Sequence, residues 1–276
     1  MNTPTSAAIA SKHRFAQLAR QWWAVGVLAL AALIFVAAPW PLMDKLFAIA
    51  YGICPQRPAH SLFFGGRQMS IEARMLGMFG GAVAAAFYLA ARGRGKATGF
   101  PRPAILAVLI GFVAWMGLDG VNALLFDLRL PHLYAPNLAL RLGTGLLTGL
   151  SIGVVIVPAF NQTIWSPSAA RTVPVLSGWL DLLGVLSVEA VLFVGGLTGW
   201  SALLYPYSIL ASVGVLGVPS AIGIIIVTLI LRRDGRFTSV LELSLVVLTG
   251  LVFAAVMLGS MSVVRFALFG LGPMGF

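Results

Sequence analysis

Seven apolar stretches divide the chain, at roughly 22–38, 73–91, 104–125, 139–159, 174–197, 208–231 and 240–261. Each approaches the ~20 residues that a helix needs to cross the hydrocarbon core of a bilayer. None alternates apolar and polar residues with a period of two, so helices are expected rather than barrel strands. The pattern predicts an all-α, multi-pass membrane protein, a bundle of about seven transmembrane helices. Trp22, Trp23 and Trp40 flank the first span as an aromatic belt would, and Pro39 and Pro41 end it. The longest connection of the first half is 42–72. Its Leu42–Ile53 part is apolar with Asp44 and Lys45, and is expected at the interface or as the continuation of a broken first helix. Pro55, Pro58, Gly65 and Gly66 then read as an ordered outer loop.

Composition agrees. Hydrophobic residues make up 59% and charged residues 9%, against about 25% charged in a soluble domain. The net charge of +10 sits in short loops, where it signals topology and attracts anionic lipid rather than nucleic acid. Lys12, Arg14, Arg20, Arg92, Arg94, Lys96, Arg102, Arg171, Arg232, Arg233 and Arg236 fall on one side. Lys45, Arg57, Arg67, Arg74, Arg129, Arg141 and Arg265 fall on the other. This bias predicts a cytoplasmic N-terminus and an outward-facing C-terminus, in a bacterial cytoplasmic (inner) membrane. Val36-Ala37-Ala38 resembles a signal cleavage site, and cleavage there would leave six helices. The expected organisation is a basic arm at 1–21, a four-helix unit at 22–165 with its outer loop at 42–72, and a three-helix extension at 166–276.

The polar residues inside the pattern are few. Gly77 and Gly81, and Gly145, Gly149 and Gly153, have the small-xxx-small spacing that lets helix backbones approach, within the chain or against another subunit. Asp119, Asp181, Glu189 and Glu242 fall within or near spans, where carboxylates are costly. Asp119, followed by Gly120 and Asn122, is expected to pair with Arg141 or to be capped by Arg67 or Arg74. Asp181 and Glu189 either line one cavity, or Glu189 alone is buried. Glu242 is expected to pair with Arg236. His13, His60 and His132 lie outside the spans, which argues against a bis-histidine haem in the bilayer. No lysine lies in a late helix, which excludes a retinal Schiff base. Cys54 stands alone, so no intrachain disulfide and no cysteine-based metal site can form. No catalytic constellation, nucleotide loop or metal motif is visible. The candidate polar cluster is Cys54, His60, Gln68, Glu72, Arg74, Asp119, Asn122 and Arg141, with His132 near it on the outer side.

Residues 54–81 read CPQRPAHSLFFGGRQMSIEARMLGMFGG. This resembles the signature of an uncharacterised bacterial family of integral membrane proteins, a domain of unknown function. The family pattern runs Cys-His-Gln-x-Pro-x-Arg-Ser-Phe-Phe, then Gly-x-Gln, then Cys-Ala-Arg-Cys-x-Gly-x-Tyr-x-Gly. Cys54, Gln56, Pro58, Ser61, Phe63, Gly66, Gln68, Ala73, Arg74, Gly77 and Gly81 fall on matching positions. Asp119-Gly120 and Arg141 with Thr144-Gly145 are similar to the family's third and fourth helices, so the resemblance covers roughly 25–160. Pro55 replaces a histidine, His60 an arginine, and Glu72 and Met75 the paired cysteines. The thiol or metal chemistry that the family pattern implies is therefore not expected here. A polar frame kept without its reactive residues points to a non-catalytic subunit that packs within or scaffolds a larger membrane complex. The alternatives are a small-solute or ion carrier using the buried acids, and a metal- or quinone-handling protein with an outer-side site. Lipid contacts and other membrane subunits are the expected partners.

Overall fold

Helix α1 (Ser6–Ala37) ends where Pro39 and Pro41 cannot continue it. The computed structural model describes residues 6–270, with side chains from residue 19 onward. Lys12, His13 and Arg14 of the basic arm, and residues 271–276, thus lie outside the described side chains. Helix α1 continues back through the basic arm to Ser6, and its membrane-length apolar part begins at Ala19.

A short helix α2 (Leu42–Ala50) follows. Its Lys45 reaches back to the carbonyls of Phe35 and Val36, at 2.7 and 3.1 Å, and holds the end of α1. Strands β1 (Ser61–Phe64) and β2 (Arg67–Glu72) form an antiparallel hairpin that leads into α3 (Ala73–Ala91). Beyond it come β3 (Ala97–Gly99), α4 (Pro103–Asp127) and α5 (Leu138–Ile164). Strand β4 (Arg171–Pro174), α6 (Trp179–Leu197), α7 (Leu204–Ile230) and α8 (Ser244–Phe269) complete the chain. Among the described residues, seven helices are long and apolar enough to cross a membrane. The protein is a multi-pass membrane protein. Its helical frame carries short strands at both ends, which the all-α expectation did not include. The supposed outer loop at 42–72 is a helix followed by a hairpin.

The core is a glycine seam between α3 and α5. A Cβ on Gly77 would stand 2.5 Å from the Leu146 nitrogen. On Gly149 it would stand 2.6 Å from the Met78 carbonyl oxygen, and on Gly153 2.7 Å from that of Ala82. Gly81 and Gly145 belong to the same contact. Only hydrogen at these positions lets the backbones touch, and dispersion between close backbones drives helix association in lipid. The glycines named from spacing therefore pack within the chain. On the other flank of α3, Gly214 brings α7 against Phe79 in the same way. Thus α3, α5 and α7 form the middle of one bundle. Helix α4 rests on α5 through Ile105 and Leu109, and most of its remaining surface is exposed.

At the end of the bundle opposite the hairpin, β3 pairs with β4 in parallel, Ala97 against Arg171. Asn161 donates to the carbonyls of Gly95 and Ala97 at 3.0 and 2.8 Å, and accepts from the Trp165 indole at 3.0 Å. Glu242 does not pair with Arg236. Its Oε2 accepts from the N–H groups of Thr238 and Ser239, while the Ser239 hydroxyl accepts from the Glu242 N–H. This is a capping box, and its Ser-x-x-Glu signature is legible at 239–242.

Candidate functional site

The hairpin end carries most of the paired charge. Gly65 and Gly66 both have positive φ, 56° and 78°, and make the turn that folds β2 back on β1. Along β2, Met69, Ser70, Ile71 and Glu72 are buried against the bundle. The last of these is the residue before α3, so a carboxylate is carried to the helix entrance.

Glu72 accepts hydrogen bonds from the Arg57 N–H at 3.0 Å and the Arg57 guanidinium at 3.2 Å. Its other oxygen lies 3.6 Å from His60 Nδ1. Burial pushes the Glu72 carboxyl up. The His60 contact and the Arg57 N–H and guanidinium outweigh it and hold the group below its usual range. Arg57 also reaches Asp127 at the end of α4, at 3.4 Å. His60 Nε2 lies 3.9 Å from Asp127 and 3.4 Å from Arg141 Nη2. Helices α4 and α5 and the hairpin are thereby tied through one histidine.

A second pair sits beside it. Arg74, in the first turn of α3, binds Asp119 of α4, whose side chain is fully buried. Tyr134 donates its hydroxyl to Asp119 at 2.9 Å, and Thr144 lies 3.4 Å from it. The expected Asp119–Arg141 pair does not form. Arg74, two residues after Glu72, takes Asp119, while Arg141 turns to His60. Asn122, one helical turn beyond Asp119, donates to the Tyr134 carbonyl at 2.9 Å and accepts from the Leu133 N–H at 2.7 Å. It pins the connection from α4 to α5. Gln68 donates to the Gln56 carbonyl and to Ser61, at 2.8 and 3.1 Å, inside the hairpin.

Cys54 is buried, and its Sγ accepts from the Glu72 N–H at 3.3 Å. Burial, reinforced by the nearby Glu72 charge, pushes the thiol up to about 12. It is a packed thiol that holds little of the thiolate a nucleophile needs. His132 does not join the cluster. It is exposed, sits edge-on to Phe126 with ring centroids 5.0 Å apart, and bonds to the Leu130 carbonyl at 3.0 Å.

Arg57, Arg74 and Arg141 balance Glu72, Asp119 and Asp127, with His60 between them. Guanidinium groups occupy the places where a cation would bind these carboxylates. Among the described residues no His, Cys, Asp or Glu group of three is arranged to hold a metal ion.

Arg57, Asp127 and Tyr134 hold the cluster together yet were not among its expected members, and two further features escaped or outran the sequence reading. Arg265, near the end of α8, was visible only as a charge beyond the last apolar stretch. Its buried guanidinium binds the carbonyls of Tyr51, Cys54 and Pro55, and stacks 4.1 Å over the Tyr51 ring. It closes the turns after α2, whose carbonyls lack helical partners. The usable signal was an arginine within one turn of an apolar helix end. Asp181 and Glu189 sit in different surroundings. Asp181 sits in the first turn of α6, accepting from the Ser177 N–H at 2.7 Å and 3.8 Å from Arg94. Glu189 lies two turns deeper, 3% exposed, with neither oxygen hydrogen-bonded, against the seam at Gly81.

Residues 54–155 match the family model described as Predicted membrane protein (DUF2085). The match begins at Cys54 and ends within α5, so it holds the hairpin, the Arg74–Asp119 pair and the α3–α5 seam. Glu189 and Arg265 lie outside it. The function of DUF2085 is unknown. No curated protein and no solved structure matches the chain.

Proposed function

We propose that the chain is a non-catalytic subunit that packs within, or scaffolds, a larger protein complex of the bacterial cytoplasmic membrane, with the hairpin end outside. The observation that carries this reading is the outward face of α4. Ala104, Ala107, Gly111 and Ala114 lie on one side of that helix and are all exposed, and nothing stands within 4 Å of where a Gly111 Cβ would be. Their spacing is of the kind that closes α3 on α5 inside the bundle, and here it faces away from α5. A transmembrane helix of a partner subunit fits such a face by close backbone approach, where lipid tails would not gain as much.

The hairpin end supports a structural role. Its acids are each held by arginine, and its thiol is buried. A carrier would need Asp119, Asp181 and Glu189 along one wet path. Instead one is paired at the hairpin end, one is paired at the far end, and the third abuts the glycine seam.

The test is purification of the tagged full chain in mild detergent, with mass measured by light scattering. The expected species is larger than the 29.1 kDa chain and contains other polypeptides. Gly111→Leu combined with Ala107→Leu should release the chain as a monomer in which Cys54 stays protected from alkylation. A monodisperse lone monomer from the unaltered chain, or an assembly indifferent to the substitutions, would overturn the proposal.

A further inference from the structure

At the end of the bundle away from the hairpin, three arginines from two chain segments face one cavity. Arg20 comes from the start of the membrane part of α1. Arg233 and Arg236 come from the connection between α7 and α8. They line a space of about 410 Å³ with Phe237, Leu245 and Val246 beneath. Glu242 also lines it, but its Oε2 already carries the capping hydrogen bonds from Thr238 and Ser239. Among the described residues, none of the three arginines makes an ion pair. Arg236 makes a single 3.3 Å bond to the Arg232 carbonyl.

Three guanidinium groups and the single Glu242 carboxylate leave this cavity with an excess of two positive charges, a balance that favours a further anion among them. The floor specifies what kind of anion. Arg233, Phe237, Leu245 and Val246 also line an adjoining crevice of about 110 Å³ that descends between α7 and α8 along Ile224 and Thr249. A basic mouth that opens into an apolar cleft between membrane helices matches an amphiphile, charged at one end and hydrocarbon at the other. A free inorganic anion would use the mouth and leave the cleft unexplained.

We infer that Arg20, Arg233 and Arg236 form a binding site for the phosphate of an anionic phospholipid, with the start of one acyl chain in the crevice between α7 and α8. The site is independent of the α4 face and of the hairpin cluster. A bound lipid there bridges α1, α7 and α8 and ties the first helix to the bundle. The exposed character of α1, which touches chiefly α8, gives this bridge something to do.

Native mass spectrometry of the full chain tests it, with phosphatidylglycerol and phosphatidylcholine added separately. The expected result is a retained phosphatidylglycerol adduct and no comparable phosphatidylcholine adduct. Replacing Arg20, Arg233 and Arg236 together by Gln should weaken retention on the order of a hundredfold, given roughly fivefold per basic residue near the surface. Arg92→Gln with Arg102→Gln, two exposed basic residues at the same end, should leave it unchanged. Val246→Phe, which narrows the crevice without altering charge, should also lower retention. Equal loss from both charge variants would reduce the effect to bulk surface charge and overturn the site. Displacement of the lipid by millimolar inorganic phosphate, or indifference to Val246→Phe, would overturn its lipid character.

Discussion

Arg74 at the entrance of α3 and Asp119 in α4 form a direct ion pair, and the Asp119 side chain is entirely removed from solvent. The two residues are 45 positions apart and sit on helices whose principal contacts are both with α5. The pair therefore links the peripheral α4 to the central seam at one end of the bundle. Tyr134 and Thr144 complete the shell around the carboxylate, so the charge is met by hydrogen bonds as well as by the guanidinium.

Arg74→Ala removes the only guanidinium paired with Asp119 among the described residues and leaves a buried charge. The expected cost is about 3–5 kcal/mol. Asp119→Asn, which keeps acceptors for Tyr134 and lifts the uncompensated charge, should restore part of that loss in the Arg74→Ala background. Thermal unfolding in detergent, followed by size-exclusion profile, reads both variants. An Arg74→Ala protein with unchanged melting and yield would contradict the assignment.

The seam makes a sharper comparison. Gly149→Ala places a methyl 2.6 Å from the Met78 carbonyl and should destabilise by about 1–3 kcal/mol through overpacking. Gly117→Ala, on the open side of α4 with nothing within 4 Å of the new methyl, should be neutral or stabilise by up to about 1 kcal/mol through helix propensity. Equal effects from the two would mean that the backbones do not touch where described.

Cys54 provides a fold reporter. A thiol pushed up to about 12 holds little thiolate at pH 8. Alkylation of the native chain should run at least about a thousandfold slower than for a free cysteine near 8.5. Full reactivity should return in denaturant. Rapid maleimide labelling of the folded protein would show the 51–72 region to be open.

Acid should loosen the hairpin end in a defined direction. The Glu72 carboxyl is held below its ordinary value of 4.5. Its stabilising contribution is therefore present above that value and is lost as pH falls through the lower value of the folded state. Melting temperature should drop on acidification below about 4.5, and the Glu72→Gln variant should start lower and show a shallower drop. A variant with an unaltered acid slope would show that Glu72 does not supply it.

Among the described residues, Glu189 has no hydrogen-bond partner for either oxygen. Replacing it with Met, of similar length and without polar atoms, should stabilise the bundle by about 1–3 kcal/mol. A loss of stability would show that the carboxyl finds a partner in the membrane, and would reopen a role for it in function.

The spans were legible because their signal is local. An unbroken apolar run of membrane length has few alternatives in lipid, and the observed helices fall on the runs with shifted ends. The fifth starts at Trp179 rather than 174 because β4 and its following turn occupy the apolar lead-in. The last runs on to Phe269 because buried Arg265 finds carbonyl partners instead of ending the helix. The glycine spacing was legible for the same reason: it depends only on helical period. The cluster's membership was largely legible too, since Cys54, His60, Gln68, Glu72, Arg74, Asp119, Asn122 and Arg141 all sit at the hairpin end, whereas His132 faces away.

By itself the sequence determined a multi-pass membrane helix bundle and which positions could tolerate close packing. Hydrophobic length and 3.6-residue periodicity are properties of each segment alone. Partner choice was decided only in three dimensions. That Asp119 takes Arg74 and not Arg141, that Glu242 caps its own helix and not Arg236, and that Arg20 meets Arg233 and Arg236 over one cavity all depend on how helices far apart in the chain are set side by side. Charges act through space over a few ångströms, and no spacing along the chain encodes that distance.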